Sequence, residues 1–401
     1  MKRPSKAAFT FIFITVVLDM LALGIMVPVL PKLVLQFEDG NMARAAEISG
    51  VFGFAWAAMQ FAASPLLGIL SDRFGRRPVV LLSNLGLGLD YILMAVAPDL
   101  SWLFVGRIIS GVTAASFSAA SAYIADVTEP QHRASRYGML GAAFGLGFII
   151  GPAVGGFLGG IDLRLPFWVA AALSLANAAY GFFVLPESLP VENRSKFSWQ
   201  KANPLASLKL LRSHRELFGL AAATFLYFVA HESLPSVFVL YTDYRYRWDE
   251  TMVGFALAAV GVCSTLVSAL LIGRIVSRFG ERFALIGGLA CGTAGFLIYG
   301  MAKTGDTFLC GIPLVALWGL SGPAMQSLMT RRVSPSEQGQ LQGAVSSLRG
   351  ITGMIGPLLF TQTFAIAIQK SNEIALPGAP FLLATLLLVL SLGFSWKFAS
   401  R

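Results

Sequence analysis

Apolar windows of about twenty residues or more recur along the whole chain, broken by short polar stretches. Twelve can be drawn, at roughly 8–34, 47–70, 79–98, 101–125, 135–159, 164–185, 217–241, 251–276, 283–302, 307–330, 338–369 and 378–398. A helix rises about 1.5 Å per residue and the hydrocarbon core of a bilayer is about 30 Å thick, so each window reads as a spanning helix. Most breaks are a few residues long. The exception is 186–216, PESLPVENRSKFSWQKANPLASLKLLRSHRE, which is polar, proline-bearing and basic. It divides the chain into six spans at 1–185, a linker at 186–216, and six more spans at 217–401. The opening stretch MKRPSKAAFTFIFITVVL has the profile of a signal peptide, but its apolar run continues through Asp19 to about Leu35. No small-x-small site closes a short core, so it reads as an uncleaved first span. The sequence therefore predicts an all-α integral membrane protein made of two six-helix bundles.

Composition agrees. The 401 residues are 56% hydrophobic and 13% charged, where a soluble domain carries about 25% charge. The net charge of +9 suggests nucleic acid until the basic residues are placed. With both termini assigned to one side, 21 of the 30 Lys and Arg fall in that side's loops and span ends. Seven fall on the other side, and Arg107 and Arg349 lie within spans. This is the positive-inside bias of a membrane protein with both termini in the cytoplasm. It leaves no basic patch for nucleic acid. Cys263, Cys291 and Cys310 sit inside apolar segments at no ligand spacing, which predicts neither a zinc site nor a disulfide framework. No GxSxG, HExxH or Walker lysine loop is present, so no enzyme, metal or cofactor is expected.

The two halves repeat. One offset of 205 residues joins Gly68 to Gly273, Arg73 to Arg278, Phe74 to Phe279, Gly75 to Gly280 and Arg77 to Arg282. The same offset joins Pro130 to Pro335, Gly138 to Gly343, Gly151 to Gly356 and Pro152 to Pro357. One ungapped offset over two separate blocks points to a duplicated unit in parallel orientation, an arrangement used by two-bundle secondary transporters.

The stretch GILSDRFGRRP, from Gly68 to Pro78, resembles the loop motif that the major facilitator superfamily carries between its second and third helices. A degenerate copy, GRIVSRFGER, lies between spans eight and nine. Physically the motif is a latch. Gly68 lets helices approach closely and Gly75 permits a tight turn. Asp72 can face the positive end of another helix, which the resemblance places at span eleven. Arg76 can pair with Asp126 at the end of span four, and Arg73 and Arg77 can anchor the loop at lipid headgroups. A second stretch, GFIIGPAVGG, holds Gly147, Gly151, Pro152, Gly155 and Gly156. It resembles the antiporter signature of the same superfamily, with small residues that let backbones pack and a proline that bends the helix. LDMLALGIMVPVLP, GRIISG, DYILMA, YIADVT, TMVGFALA, LQGAVSSL and GPLLF are similar to the twelve-span drug–proton antiporters, tetracycline-efflux group. That group carries a histidine in helix eight and an aspartate in helix nine. Here spans eight and nine hold neither, with Ser264 and Cys291 standing there.

An ionisable group in mid-bilayer is costly and calls for a reason. Asp19, Arg107, the adjacent pair His231 and Glu232, and Arg349 are the candidates for proton coupling and the substrate cavity. Asp19 is expected beside Arg107, and Glu232 beside Arg349. His231 is either a helper of Glu232 or a satisfied packing histidine, and Gln326 either binds substrate or joins helices. Asp90 reads as structural.

The leading reading is a proton-coupled exporter of a small amphiphilic organic compound. It would be monomeric and multi-pass in a bacterial cytoplasmic (inner) membrane, and it would work by alternating access. A proton-linked importer or uniporter on the same fold stays open, as does a non-transporting membrane sensor.

Overall fold

The structure, a computed structural model, describes residues 6–399 apart from 115, 130–131, 195–205, 213–214, 335 and 370–375. Pro130 and Pro335 of the repeat lie outside the described residues. Among the described residues the regular structure is helical, with no strand.

Local chemistry explains where the helices stop. The first span is two helices, α1 (Lys6–Met26) and α2 (Leu30–Phe37), parted at Pro28, which has no N–H to continue the ladder. α3 (Met42–Phe74) begins after Asn41, whose Oδ1 accepts from Arg44 N at 3.1 Å. Gly75, at φ +107°, turns the chain into α4 (Arg76–Ala95). α5 (Leu100–Thr113) is capped by Asp99, whose carboxylate accepts from Ser101 N at 2.8 Å and Trp102 N at 3.2 Å. Then follow α6 (Ser116–Val127), α7 (Arg133–Gly159), which includes Pro152, and α8 (Leu165–Val184).

The second half runs α9 (Arg215–His231), α10 (Ser233–Tyr246) and α11 (Glu250–Leu266). A π-helical turn, Val267–Leu271, leads into α12 (Ile272–Met301). Gly280, at φ +83° and ψ 165°, breaks α12 into 272–279 and 281–301. The remainder is α13 (Gly305–Leu309), α14 (Ile312–Trp318), α15 (Ser321–Thr330), α16 (Gln338–Gln369) and α17 (Ala379–Phe398). Among the described residues nine helical stretches are long and apolar enough to cross a membrane. One of them, Glu250–Met301, is 52 residues long and contains the Gly280 bend.

The chain forms two compact units. Residues 34–54 cluster with the second unit and 250–258 with the first. In the first unit α1 packs against α7 and α8, and α4 against α8. Its core joins Ile12, Val16, Val80, Tyr123 and Ile124. In the second unit α17 packs against α9 and α12, and α16 against α9 and α10. Its core is aromatic. Tyr299 stacks on Phe308 at 4.0 Å, Tyr241 meets Phe381 edge-on at 4.9 Å, and Tyr241 Oη donates to Tyr299 O at 2.9 Å.

Candidate functional site

The charged turn after α3 is a closed network inside the first unit. Arg76 is ion-paired with Asp72, and its Nε donates to Asp126 Oδ2 at 3.1 Å. Ser188 Oγ donates to the same Asp126 oxygen at 3.1 Å. Glu187, a residue the sequence reading passed over, caps the start of α4. Its Oε1 accepts from Arg76 N at 2.9 Å and its Oε2 from Arg77 N at 3.3 Å. An acid at a helix N-terminus satisfies orphan donors and meets the positive end of the macrodipole. A Cβ on Gly75 would run into the Glu187 carboxylate, so that glycine serves a positive φ and a close contact together. Arg77 donates to Phe182 O and lies over the Phe182 ring at 5.7 Å, and Arg73 lies over Phe74 at 5.2 Å. Among the described residues nothing lies within 4 Å of a Cβ built on Gly68, so the close approach expected of it is not made there.

The glycines of α7 are where backbones meet. A Cβ on Gly147 would stand 2.5 Å from Met20 Cβ, and one on Gly151 would stand 2.6 Å from Gly24 Cα. Gly155 abuts the Ile25 carbonyl. Gly156 faces α11, where a Cβ would stand 2.9 Å from Gly254 Cα. Gly254 in turn packs on the Pro152 carbonyl, at 2.5 Å from a Cβ built there. In the second unit Pro357, the repeat counterpart of Pro152, packs against Gly53 of α3, where a built Cβ would lie 2.7 Å away. Both prolines thus sit in helix contacts that admit no side chain on the facing helix.

The membrane charges of the first unit do not pair as the sequence suggests. Asp19 is held by amides. Asn177 Nδ2 donates to Asp19 Oδ1 at 2.9 Å and to Thr15 O at 3.0 Å. With its amide nitrogen turned toward Asp19, Asn84 donates at 3.1 and 3.2 Å and accepts from Asn177 at 3.1 Å. Arg107 is elsewhere, over the Trp56 ring at 5.4 Å and facing Asp90. Asp90 is 1% exposed and neither carboxylate oxygen has a hydrogen-bond partner among the described residues. The two asparagines and Trp56 escaped the sequence reading, whereas Asp90 was noted there as structural. The only signal for them was polar or indole side chains inside apolar windows.

In the second unit Glu232 lies in the joint between α9 and α10. Pro235, in the first turn of α10, has no N–H for the His231 carbonyl, which opens the ladder there. The Glu232 stem packs against Gly356 of α16, at 2.5 Å from a built Cβ to Cγ. Arg349, seven residues before Gly356 on α16, lies over the Phe228 ring at 4.9 Å. It faces Glu232 without an ion pair within 4.0 Å among the described residues, so the direct pairing is not formed. The rings of Tyr227 and Trp318 are 4.7 Å apart, and His231 lies 5.6 Å from Trp318. Gln326, on α15, has a buried Nε2 with no partner among the described residues. No group of three or more His, Cys, Asp or Glu that could hold a metal occurs among the described residues.

Residues 12–357 match the profile of the Major Facilitator Superfamily. The chain belongs to that superfamily. It is similar to the tetracycline resistance protein, class C, of Escherichia coli, with 37% identity covering 92% of this chain and 93% of that protein. It is similar also to multidrug resistance protein 2 of Bacillus subtilis (strain 168), with 26% identity covering 98% of this chain and 96% of that protein. Among solved structures it resembles the human organic anion transporter MFSD10 (TETRAN) at a TM-score of 0.73 and 24% identity, covering 98% of this chain and 100% of that one. It resembles the nucleoside transporter NupG at a TM-score of 0.77 and 15% identity, covering 99% of this chain and 100% of that one. Both likenesses are of fold. As a superfamily member this chain is a multi-pass secondary active efflux transporter and not an enzyme.

Proposed function

We propose that this transporter expels a small amphiphilic organic compound in exchange for protons. It would do so by alternating access between bundles at 1–185 and 217–401, joined by the linker at 186–216. In this reading the helical stretches make twelve spans, the Gly280 bend separating the eighth from the ninth. It would sit as a monomer in the bacterial inner membrane, and the distribution of Lys and Arg supports both termini in the cytoplasm. The observation that carries the proposal is an acid in a membrane helix of each half. Asp19 is held by Asn84 and Asn177, and Glu232 stands at a helix joint facing Arg349.

The curated relatives named for tetracycline resistance make tetracycline the first compound to test. The proton route is this chain's own, because spans eight and nine hold no histidine or acid. Glu232 is assigned as the proton carrier and Asp19 as the second acid. Inverted vesicles loaded with acid on the inside should accumulate tetracycline, and Glu232→Gln should abolish that accumulation while sparing counterflow. Full pH-driven accumulation in both Glu232→Gln and Asp19→Asn would overturn the assignment.

A further inference from the structure

Around Asp19 the oxygens outnumber the donors. Asn177 Nδ2 donates to Asp19 Oδ1 at 2.9 Å and to Thr15 O at 3.0 Å, which uses both of its hydrogens. Asn177 Oδ1 is buried with no partner among the described residues, and so are Thr15 Oγ1 and Ser174 Oγ. Asn177 is 0% exposed, and Thr15 and Ser174 are 1% exposed. Other helical hydroxyls of this chain are satisfied at home. Thr224, Thr242, Thr293 and Thr361 each donate to the carbonyl four residues back at 2.8 Å. Thr15 and Ser174 forgo that bond, at a cost that a ligand would repay.

The orphaned oxygens share a location. Thr15 and Asp19 lie one turn apart on α1, and Ser174 and Asn177 three residues apart on α8, so each pair shares a helix face. α1 and α4 both pack on α8, and the bonds of Asn177 bring the two faces together. Asn84 of α4 closes the ring. Its amide atom nearest Asp19 lies 3.1 and 3.2 Å from the two carboxylate oxygens, and the amide can present either its nitrogen or its oxygen there. Turned oxygen-inward, it sets acceptor beside acceptor. Oxygens at that separation fit one cation held by bonds of about 2.4 Å, a usual length for hard cations of that size. Among the described residues no lysine, arginine or histidine forms an ion pair with Asp19.

We propose that Asp19, Thr15, Asn84, Ser174 and Asn177 form a binding site for one sodium ion. Asp19 supplies the charge, and the amides and hydroxyls supply neutral oxygens. A single carboxylate balances a single positive charge, whereas a divalent ion would keep an unpaired charge inside the membrane. A donor set made only of oxygen selects a hard cation over a transition metal. The close spacing suits sodium better than potassium, whose bonds to oxygen are longer. When the ion enters, the asparagine oxygens turn toward it, and α1, α4 and α8 are tied through one centre. The site goes beyond the export reading and does not depend on it, because the proton carrier assigned there is Glu232 of the second unit.

The test is binding of radioactive sodium to the purified full-length protein, at fixed pH and with choline chloride holding the ionic strength. Saturable binding of one ion per chain is expected, displaced by sodium chloride about tenfold or more effectively than by potassium or magnesium chloride. Thr15→Val keeps the shape of the side chain and removes one oxygen, so it should weaken binding about tenfold. Ser174→Ala should act alike, and Asp19→Asn should abolish binding. Thr242→Val, at a hydroxyl already bonded within its own helix, should leave binding unchanged. Thermal unfolding checks that each variant is folded, and sodium chloride should raise the melting temperature of the parent but not of Asp19→Asn. Absence of saturable binding, or potassium or magnesium bound as tightly as sodium, overturns the inference. So does equal affinity in the parent and Thr15→Val, or full binding by Asp19→Asn. If sodium binds as stated but inverted vesicles accumulate nothing under a pH gradient, the site stands and the export reading fails.

Discussion

Lys32 Nζ stands 3.7 Å from Glu250 Oε1, tying α2 to the first turn of α11, with the lysine side chain 8% exposed. The same turn of α11 meets Gly156 and Gly159 of α7. The ion pair therefore reinforces a contact that the glycines make possible. Lys32→Met should lower stability by roughly 1–3 kcal/mol, between the limits for surface and buried pairs. The charge-swapped double variant Lys32→Glu with Glu250→Lys should recover most of that. Thermal unfolding of the purified variants measures both, and additive losses in the double variant would mean that the two charges do not interact.

Asp19 depends on its two amides. Asn177→Leu removes a hydrogen bond to a half-buried carboxylate, a contact worth about 1.5–3 kcal/mol. The expected result is a fall in melting temperature together with loss of pH-driven accumulation. Asn84→Leu should behave alike, and the double variant should lose less than the sum, because the amides also bond to each other.

Gly75 and Gly280 occupy the same repeat position and both have positive φ, +107° and +83°. Alanine at either is strained by about 1–3 kcal/mol, because with ψ near 160° both lie in a region that only glycine adopts readily. At Gly75 the methyl would also strike a neighbour, the Glu187 carboxylate; at Gly280 nothing among the described residues lies within 4 Å of it. Gly75→Ala should therefore lower the melting temperature clearly more than Gly280→Ala. Equal effects would show that backbone strain alone governs both positions.

Glu187→Ala should expose the first N–H groups of α4 and release Ser188 and Leu189, whose amides share the same carboxylate at 3.0 Å each. A lost cap costs about 1 kcal/mol. Trypsin cleavage at Arg194 should speed up, because the segment after α8 is fastened through this residue. Glu187→Gln keeps an acceptor and should fall between the two.

Much of this architecture was legible because the bilayer imposes long apolar windows and because duplication left its offset in the glycines and prolines. Gly75, Arg76 with Asp126, and the glycines of α7 were reached through two motifs that resemble the superfamily's own. The partners of Asp19, Arg107 and Arg349 could not. Each is fixed by which face of α4, α8 or α9 turns inward, and low amphipathic contrast in membrane helices hides that face from the sequence. Asn84, Asn177 and Phe228 are unremarkable letters in apolar runs until packing brings them to a charge. Glu187 was hidden differently, as one acid at the start of a polar linker whose target lies about 110 residues earlier.

The open surroundings of Gly280 turn the second copy of the bend into a handle. Its parent at Gly75 is locked by an acid and cannot accept added mass, whereas nothing described lies within 4 Å of a side chain grown at Gly280. A fluorophore attachment site placed beside it would report on the transporter during its working cycle while leaving Gly280 itself, Asp19 and Glu232 unchanged.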